Sequence, residues 1–184
     1  MAFTSNHSDL KQINRLAIIN RVKKQPSISR SDLAKVTGLN KSTIGKIVQE
    51  LLDAQWLKED SPTPLEGAGR RPTGLVLNDD VLTLLGAELG VDYISVIACS
   101  ITGEIRFQSR LPYHHTDVET SITQLTNVLC HTWKLMLSLN HQILGLGVSV
   151  PGLVNALDGH VVDLPNIGWQ NIDLINMLRQ HFNQ

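Results

Sequence analysis

The chain has 184 residues, 42 % of them hydrophobic, with a formal net charge of −1 and mean hydropathy near zero. That length holds one or two small domains with cores of their own, and the composition excludes a disordered or fibrous chain. No apolar run approaches the roughly 18 residues of a spanning helix, and the start MAFTSNHSDLKQ lacks a signal-peptide core, so a cytoplasmic protein with no membrane partner is expected.

The small net charge hides an asymmetry. Residues 1–77 hold 12 Lys+Arg against 7 Asp+Glu, a balance of +5, whereas residues 78–184 hold 4 against 10, a balance of −6. A basic part joined to an acidic one points to a polyanion bound by the first alone. Cys99 and Cys130 fit no metal spacing and read as small buried hydrophobes in a reducing compartment, so neither a metal nor a cofactor is expected.

In chain order, Leu10, Ile13, Leu16, Ala17 and Ile19 recur near helical spacing and predict one amphipathic helix from Ser8 to about Lys24, broken by Pro26. Ser29 with Asp32 three residues on is a capping-box signature for a short helix ending at Thr37. Gly38 then supplies a left-handed turn, and Asn40 caps a second helix whose apolar face is Ile44, Ile47, Val48, Leu51 and Leu52. Two helices around a three-residue turn make a helix-turn-helix. In that motif the first residues of the second helix enter the major groove. Lys41, Ser42, Thr43 and Lys46, with Ser31 at the start of the first helix, are therefore the candidate DNA contacts; the bland alternative is a solvated helix face. Gln49 and Glu50 are expected to face solvent.

Trp56–Lys58 and Leu75–Leu77 read as the two strands of a β-hairpin wing, with a Pro/Gly-rich loop from Ser61 to Thr73 between them. Within GAGRRPTGLVLN, Gly69, Arg70, Arg71 and Pro72 read as a tip that grips DNA. Arginine suits a narrow minor groove, glycine admits close backbone approach, and proline holds the pair extended; the alternative is a solvated linker.

The order of these pieces, a winged helix-turn-helix, GRRP, then LVLN running into LLGAELGVDYISVIACSITGEI, resembles the ROK family (repressors, open reading frames, kinases), closest to its sugar-responsive repressors of the xylose and N-acetylglucosamine type. A second match is ILGLGVSVPGLVNALDGHVVDLPNIGW. The resemblance implies an α/β protein overall, with a DNA-binding domain over residues 1–78 and the first part of an actin-like sugar-binding domain over 79–184. Spacing alone also gives an α/β sheet domain: strands at Leu84–Leu89, Tyr93–Cys99 and Glu104–Leu111, a helix from Val118 to Met136, a buried strand at Ile143–Val150, and a helix at Ile172–Phe182. By resemblance Pro151, Gly152, Asn166, Gly168 and Trp169 lie near the sugar; the alternative is turn punctuation and a packed indole.

Two departures from the family pattern bear on activity. Kinases of the family open this domain with Asp-x-Gly-x-Thr, a phosphate-cradling turn, where this chain has Glu88-Leu89-Gly90-Val91-Asp92. Asp92 in place of the threonine sets a carboxylate against phosphate. The family's catalytic aspartate and its zinc motif fall beyond Gln184, so neither can be carried over, and a shortened sugar domain with an uncovered apolar sheet edge is expected. His114–His115 has no convincing ligand spacing and reads as a surface pair. The leading expectation is a non-enzymatic repressor of carbohydrate-metabolism genes on a double-stranded DNA operator, with a sugar effector, as a homodimer or a mixed dimer with a full-length relative. The competing expectations are a sugar-binding or kinase-like protein, and a fragment that only forms mixed dimers.

Overall fold

The computed structural model describes residues 7–60, 73–114 and 117–182. The chain divides into two compact units, residues 1–78 and 79–184.

The first unit holds α1 (His7–Lys24), β1 (Ile28–Ser29), α2 (Arg30–Thr37), α3 (Lys41–Asp53), β2 (Leu57–Asp60) and β3 (Gly74–Leu77). Its helices begin and end where local chemistry dictates. Ser29 caps α2 by accepting a hydrogen bond from the Asp32 amide at 3.1 Å, and its hydroxyl donates to the Asp32 carboxylate at 2.7 Å, a side-chain bond in place of the backbone one that the expected capping box would make. Gly38 stops α2 at φ +71, and its N–H returns to the Ala34 carbonyl. Ile18, Val22, Leu33, Ile44, Ile47, Val48, Leu51, Leu57 and Leu75 close one core. Each such burial stabilises the fold by roughly 1.5–3 kcal/mol relative to exposure.

Two expectations for this unit change. The two-residue strand β1 precedes α2 and makes the wing a three-stranded antiparallel sheet of order β1-β3-β2, in which Ile28 pairs with Leu75 and Leu57 with Leu77. The apolar residues of α1 do not form one inward face. Ile18 and Val22 enter the core and Ile19 is half-buried, while Leu10, Ile13, Leu16 and Ala17 face water.

The second unit contains β4 (Leu82–Leu89), β5 (Tyr93–Ser100), β6 (Ile105–Pro112), α4 (Val118–Ser138), β7 (Gln142–Ser149), β8 (Leu153–Asn155), β9 (His160–Leu164), β10 (Trp169–Ile172) and α5 (Leu174–Phe182). The main sheet runs β6-β5-β4-β7; the first three strands are antiparallel, and β7 joins parallel to β4 after the crossover through α4. Asp117 caps α4 by accepting from the Thr120 amide at 2.9 Å, and this bond holds its carboxyl below the usual range. Strand alternation sends Ala87 and Leu89 into one cluster with Ile122, Leu125 and Leu129 of α4, and Leu85 into a second with Met136 of the same helix, so one face of the sheet carries the core.

Arg106 of β6 ties this sheet to its neighbours. Its guanidinium donates to the Leu82 carbonyl at 3.0 Å and lies 3.2 Å from His141 Nδ1, and it also reaches the Thr83 hydroxyl and the Asp79 carbonyl. A second, small antiparallel sheet, β10-β9-β8, packs beside α5. Spacing did not anticipate it, and Ile172, expected to open the last helix, ends β10 instead. The strand β7, expected to be buried, is half-buried and forms an edge of the main sheet among the described residues.

Candidate nucleic-acid interface

The outer face of α3 is fixed from its first residue. Asn40 Oδ1 accepts from the Thr43 amide at 2.7 Å and from the Ser42 hydroxyl at 2.7 Å, so the cap sets both the start of the helix and the Ser42 rotamer. Ile44, Ile47, Val48 and Leu51 are buried on the inner face, which leaves Lys41, Ser42 and Lys46 exposed and Thr43 half-buried on the other. The free amides of the first turn and the positive end of the helix dipole point the same way. Ser31 is exposed in the first turn of α2, its hydroxyl 2.7 Å from that of Ser29.

Several cations of this unit are paired within the fold. Lys11 and Arg15 pair with Glu50 at 2.8 and 2.6 Å, Arg30 with Glu59 at 3.0 Å, and Lys35 with Asp32 at 2.9 Å. Among the described residues no carboxylate pairs with Lys41 or Lys46. The charges that hold α1, α2 and the sheet together are satisfied within the fold, and those on the outer face of α3 remain available to a phosphate or a base edge.

Glu50 corrects the expectation that it faces solvent. The hydrogen bond from Lys11, then that from Arg15, holds its carboxyl below the ordinary range, and the cluster clamps α1 onto the back of α3. The available signal was the basic pair at i and i+4, Lys11 and Arg15, on the same side of α1 as Ile18 and Val22. Gly69, Arg70, Arg71 and Pro72 lie outside the described residues. The strands on either side of that loop pair in register from Leu57–Leu77 to Asp60–Gly74.

The residues taken as sugar-proximal gather at one end of the small sheet. Gly152 lies against β9, where a Cβ would sit 2.3 Å from the Asp163 carbonyl oxygen. Trp169 pairs with Leu164 across β10 and β9, and the four-residue loop between them carries Asn166, exposed, and Gly168 at φ +72. Pro151 is half-buried. Trp169 itself is 3 % exposed and belongs to the core. A polar recess of about 390 Å³ at the other end of the small sheet is lined by Asp158, His160, Asp173, Asn176 and Arg179. Both of its carboxylates are engaged locally, Asp158 by the His160 amide and Asp173 by the Asn176 amide.

The side chains around the Glu88–Asp92 turn bond to one another. The Tyr93 hydroxyl donates to Glu88 at 2.6 Å, and this bond raises the phenol above its ordinary range. Its ring packs on Gly90, where no Cβ would fit, and the Arg110 guanidinium stacks on it at 3.6 Å from the ring centroid.

A helix pair with an exposed basic second helix, backed by a three-stranded wing and followed by a crossover α/β sheet, defines a winged-helix DNA-binding architecture joined to an α/β domain. The chain belongs to the ROK family, whose sequence pattern matches residues 84–184, and a winged helix-turn-helix DNA-binding pattern matches residues 12–58. It is 34 % identical over 179 residues to the xylose repressor of Caldicellulosiruptor bescii, covering 97 % of this chain and 45 % of that protein. The corresponding figures for the Bacillus subtilis xylose repressor are 30 % over 174 residues, 95 % and 45 %. For the dual transcriptional regulator NagC of Escherichia coli they are 22 % over 173 residues, 94 % and 42 %. A crystal structure of a ROK family transcriptional regulator, a homologue of the E. coli MLC protein, superposes with a TM-score of 0.75 at 25 % identity over 95 % of this chain and 44 % of that one. The chain thus spans somewhat under half the length of the relatives it matches. Among the described residues, no helix is long and apolar enough to cross a membrane.

Proposed function

We propose that this chain is a sequence-specific DNA-binding repressor of carbohydrate-metabolism genes. It reads a double-stranded operator with the outer face of α3 in the major groove and the loop bearing Arg70 and Arg71 in the adjacent minor groove. The observation that carries the reading is the pair of lysines, Lys41 and Lys46, which no carboxylate among the described residues pairs, beside Ser42 and Thr43 at a capped helix N-terminus. One such helix covers too few base pairs for useful discrimination, so the working form is two copies on a two-fold site. The names of the relatives support repression in response to a sugar, and Pro151, Gly152, Asn166, Gly168 and Trp169 are the proposed contribution of this chain to a sugar site. Phosphoryl transfer is not part of the proposal, because Glu88 and Asp92 set two carboxylates where the family's kinases cradle phosphate.

The test is selection of bound duplexes from random-sequence DNA across a salt series, with the wild-type chain and with Arg70→Ala/Arg71→Ala. Enrichment of a two-fold site, with the log–log salt slope of the double variant smaller by up to about 2, is expected. Binding without sequence enrichment overturns the operator reading. An unchanged slope returns the Gly69–Pro72 loop to a linker.

A further inference from the structure

We infer that Arg21 and Lys24 of α1 hold a phosphate of the DNA backbone on the flank of the bound site, outside the bases read by α3. The last turn of α1 carries Arg21, Lys23 and Lys24. One cation there suits the negative end of the helix dipole. Three within four residues exceed that need, and Arg21 and Lys24, at i and i+3, are neighbours on the helix surface that repel each other. No carboxylate among the described residues pairs with any of the three, although the same helix pairs Lys11 and Arg15 with Glu50. The Arg21 Nε is buried and finds no hydrogen-bond acceptor among the described residues, and Lys24 is exposed. A buried guanidinium nitrogen without an acceptor, beside a like charge, lacks an anion as its partner.

The turn after α1 places the pair and selects that anion. Ser27 adopts φ +63, its N–H donates to the Leu75 carbonyl at 3.0 Å, and its hydroxyl donates to the Asp60 carboxylate. Its backbone lies against Gly74, where a Cβ would sit 2.8 Å from the Ser27 Cα. Asp60 and Gly74 are the last paired residues of β2 and β3, at the root of the segment that bears Arg70 and Arg71. The three residues of chain from Ser27 back to Lys24 span at most about 11 Å, less than the roughly 12 Å width of a major groove. A duplex that meets the wing root therefore passes within reach of Lys24, and the anion that extends along both is its phosphodiester backbone. Lys23 projects about 100° away from Lys24 around the helix. The inference rests on the operator reading for its partner and deepens it. Arg21 and Lys24 add affinity without base preference, because a phosphate carries no sequence.

The experiment is fluorescence anisotropy of the full chain across a salt series, on duplexes with and without base pairs beyond the selected site. The wild type is expected to bind the longer duplex more tightly, and Arg21→Gln/Lys24→Gln to lose that gain. On the longer duplex the log–log salt slope of this variant should be smaller by about 0.9 for each bound chain, one phosphate contact, and its binding roughly tenfold weaker near about 50 mM salt. Lys23→Gln removes an equal charge from another side of the helix and is expected to keep both the slope and the flank gain. Thermal melts by circular dichroism show that each variant is folded. Lys24→Gln alone, a change at an exposed residue, carries the test should the double variant melt below the assay temperature. An unchanged slope and flank gain in Arg21→Gln/Lys24→Gln, or an equal loss in Lys23→Gln, overturns the inference. Unselective binding by the wild type sinks the operator reading alone; the slope difference, read on any duplex, still decides Arg21 and Lys24.

Discussion

Asn40→Asp separates the stability of α3 from its use on DNA. The substitution keeps the acceptor that receives the Thr43 amide and the Ser42 hydroxyl, since aspartate and asparagine cap about equally well. It adds a negative charge at the positive end of a 13-residue helix, worth about 0.3–1 kcal/mol to folding, so the melting temperature should hold or rise by a few degrees. On DNA the sign reverses. A carboxylate roughly 6 Å from a phosphate costs about 0.7 kcal/mol at the dielectric of water and about 3 kcal/mol at an effective value of 20. Affinity should therefore fall by roughly 3- to 150-fold, and the penalty should shrink as salt is raised. Asn40→Ala is the complementary case. It loses the cap at a cost of about 1 kcal/mol, lowers the melting temperature, and spares the DNA from an added charge. Thermal melts by circular dichroism and fluorescence anisotropy on the selected operator from low to high salt measure both quantities. Asn40→Asp binding as tightly as wild type at low salt would refute the placement of the α3 N-terminus against the DNA backbone.

Gly38→Ala should cost about 1 kcal/mol, and Gly38→Asn distinctly less. A Cβ there meets nothing within 4 Å, so the whole penalty is that of φ +71, which asparagine tolerates better; equal losses in urea melts would contradict this. Gly152→Ala should cost more, about 1–3 kcal/mol or above, because its Cβ would meet the Asp163 carbonyl at 2.3 Å and force β8 from β9; retained stability in urea would show that the two strands yield readily. Glu50→Gln should flatten the acid limb of the stability curve. The folded carboxyl lies below its ordinary value, so the Lys11 and Arg15 contacts stabilise the fold above that value and are lost as pH falls through the folded one. Chemical denaturation from pH 7 down to about pH 3 should show wild type losing more stability than the variant; parallel curves would remove Glu50 from the account.

What the sequence made legible was what depends on neighbours along the chain. The Ser29 cap on the Asp32 amide, Gly38, and Asn40 three residues before Thr43 are local devices, and each stands in the structure with the helix-end bond its spacing implies. The strands of the main sheet were visible because alternation over eight residues leaves a clear period. The failures share a different origin. Strand β1 is two residues long and finds its partner at Leu75, too far along the chain for a local pattern to register. Strands β8 to β10 are three to five residues each, within a segment whose prolines and glycines read as turns. The inward side of α1 was misassigned because Leu10, Ile13 and Leu16 outnumber Ile18 and Val22, and periodicity counts apolar residues without knowing which stripe meets the core. Of the candidate site, Lys41, Ser42 and Lys46 followed from the motif, whereas the pairing of Lys11, Arg15 and Arg30 with acids distant in the sequence is a tertiary fact.

The two borders of the main sheet are unequally defended. Strand β6 presents Arg106, Arg110 and Pro112, and its register slips opposite Cys99; β7, QILGLGVS, has no charge and no proline, and its single shift lies at its beginning, opposite Thr83 and Leu84. Charge, proline and irregularity are what stop a sheet from recruiting another strand. Of the two borders, that of β7 is therefore the more open to a further strand. A lysine introduced at Gly147, where a Cβ meets nothing within 4 Å, closes that direction at little steric cost and is the natural first step toward a form of this chain that stays dispersed at high concentration.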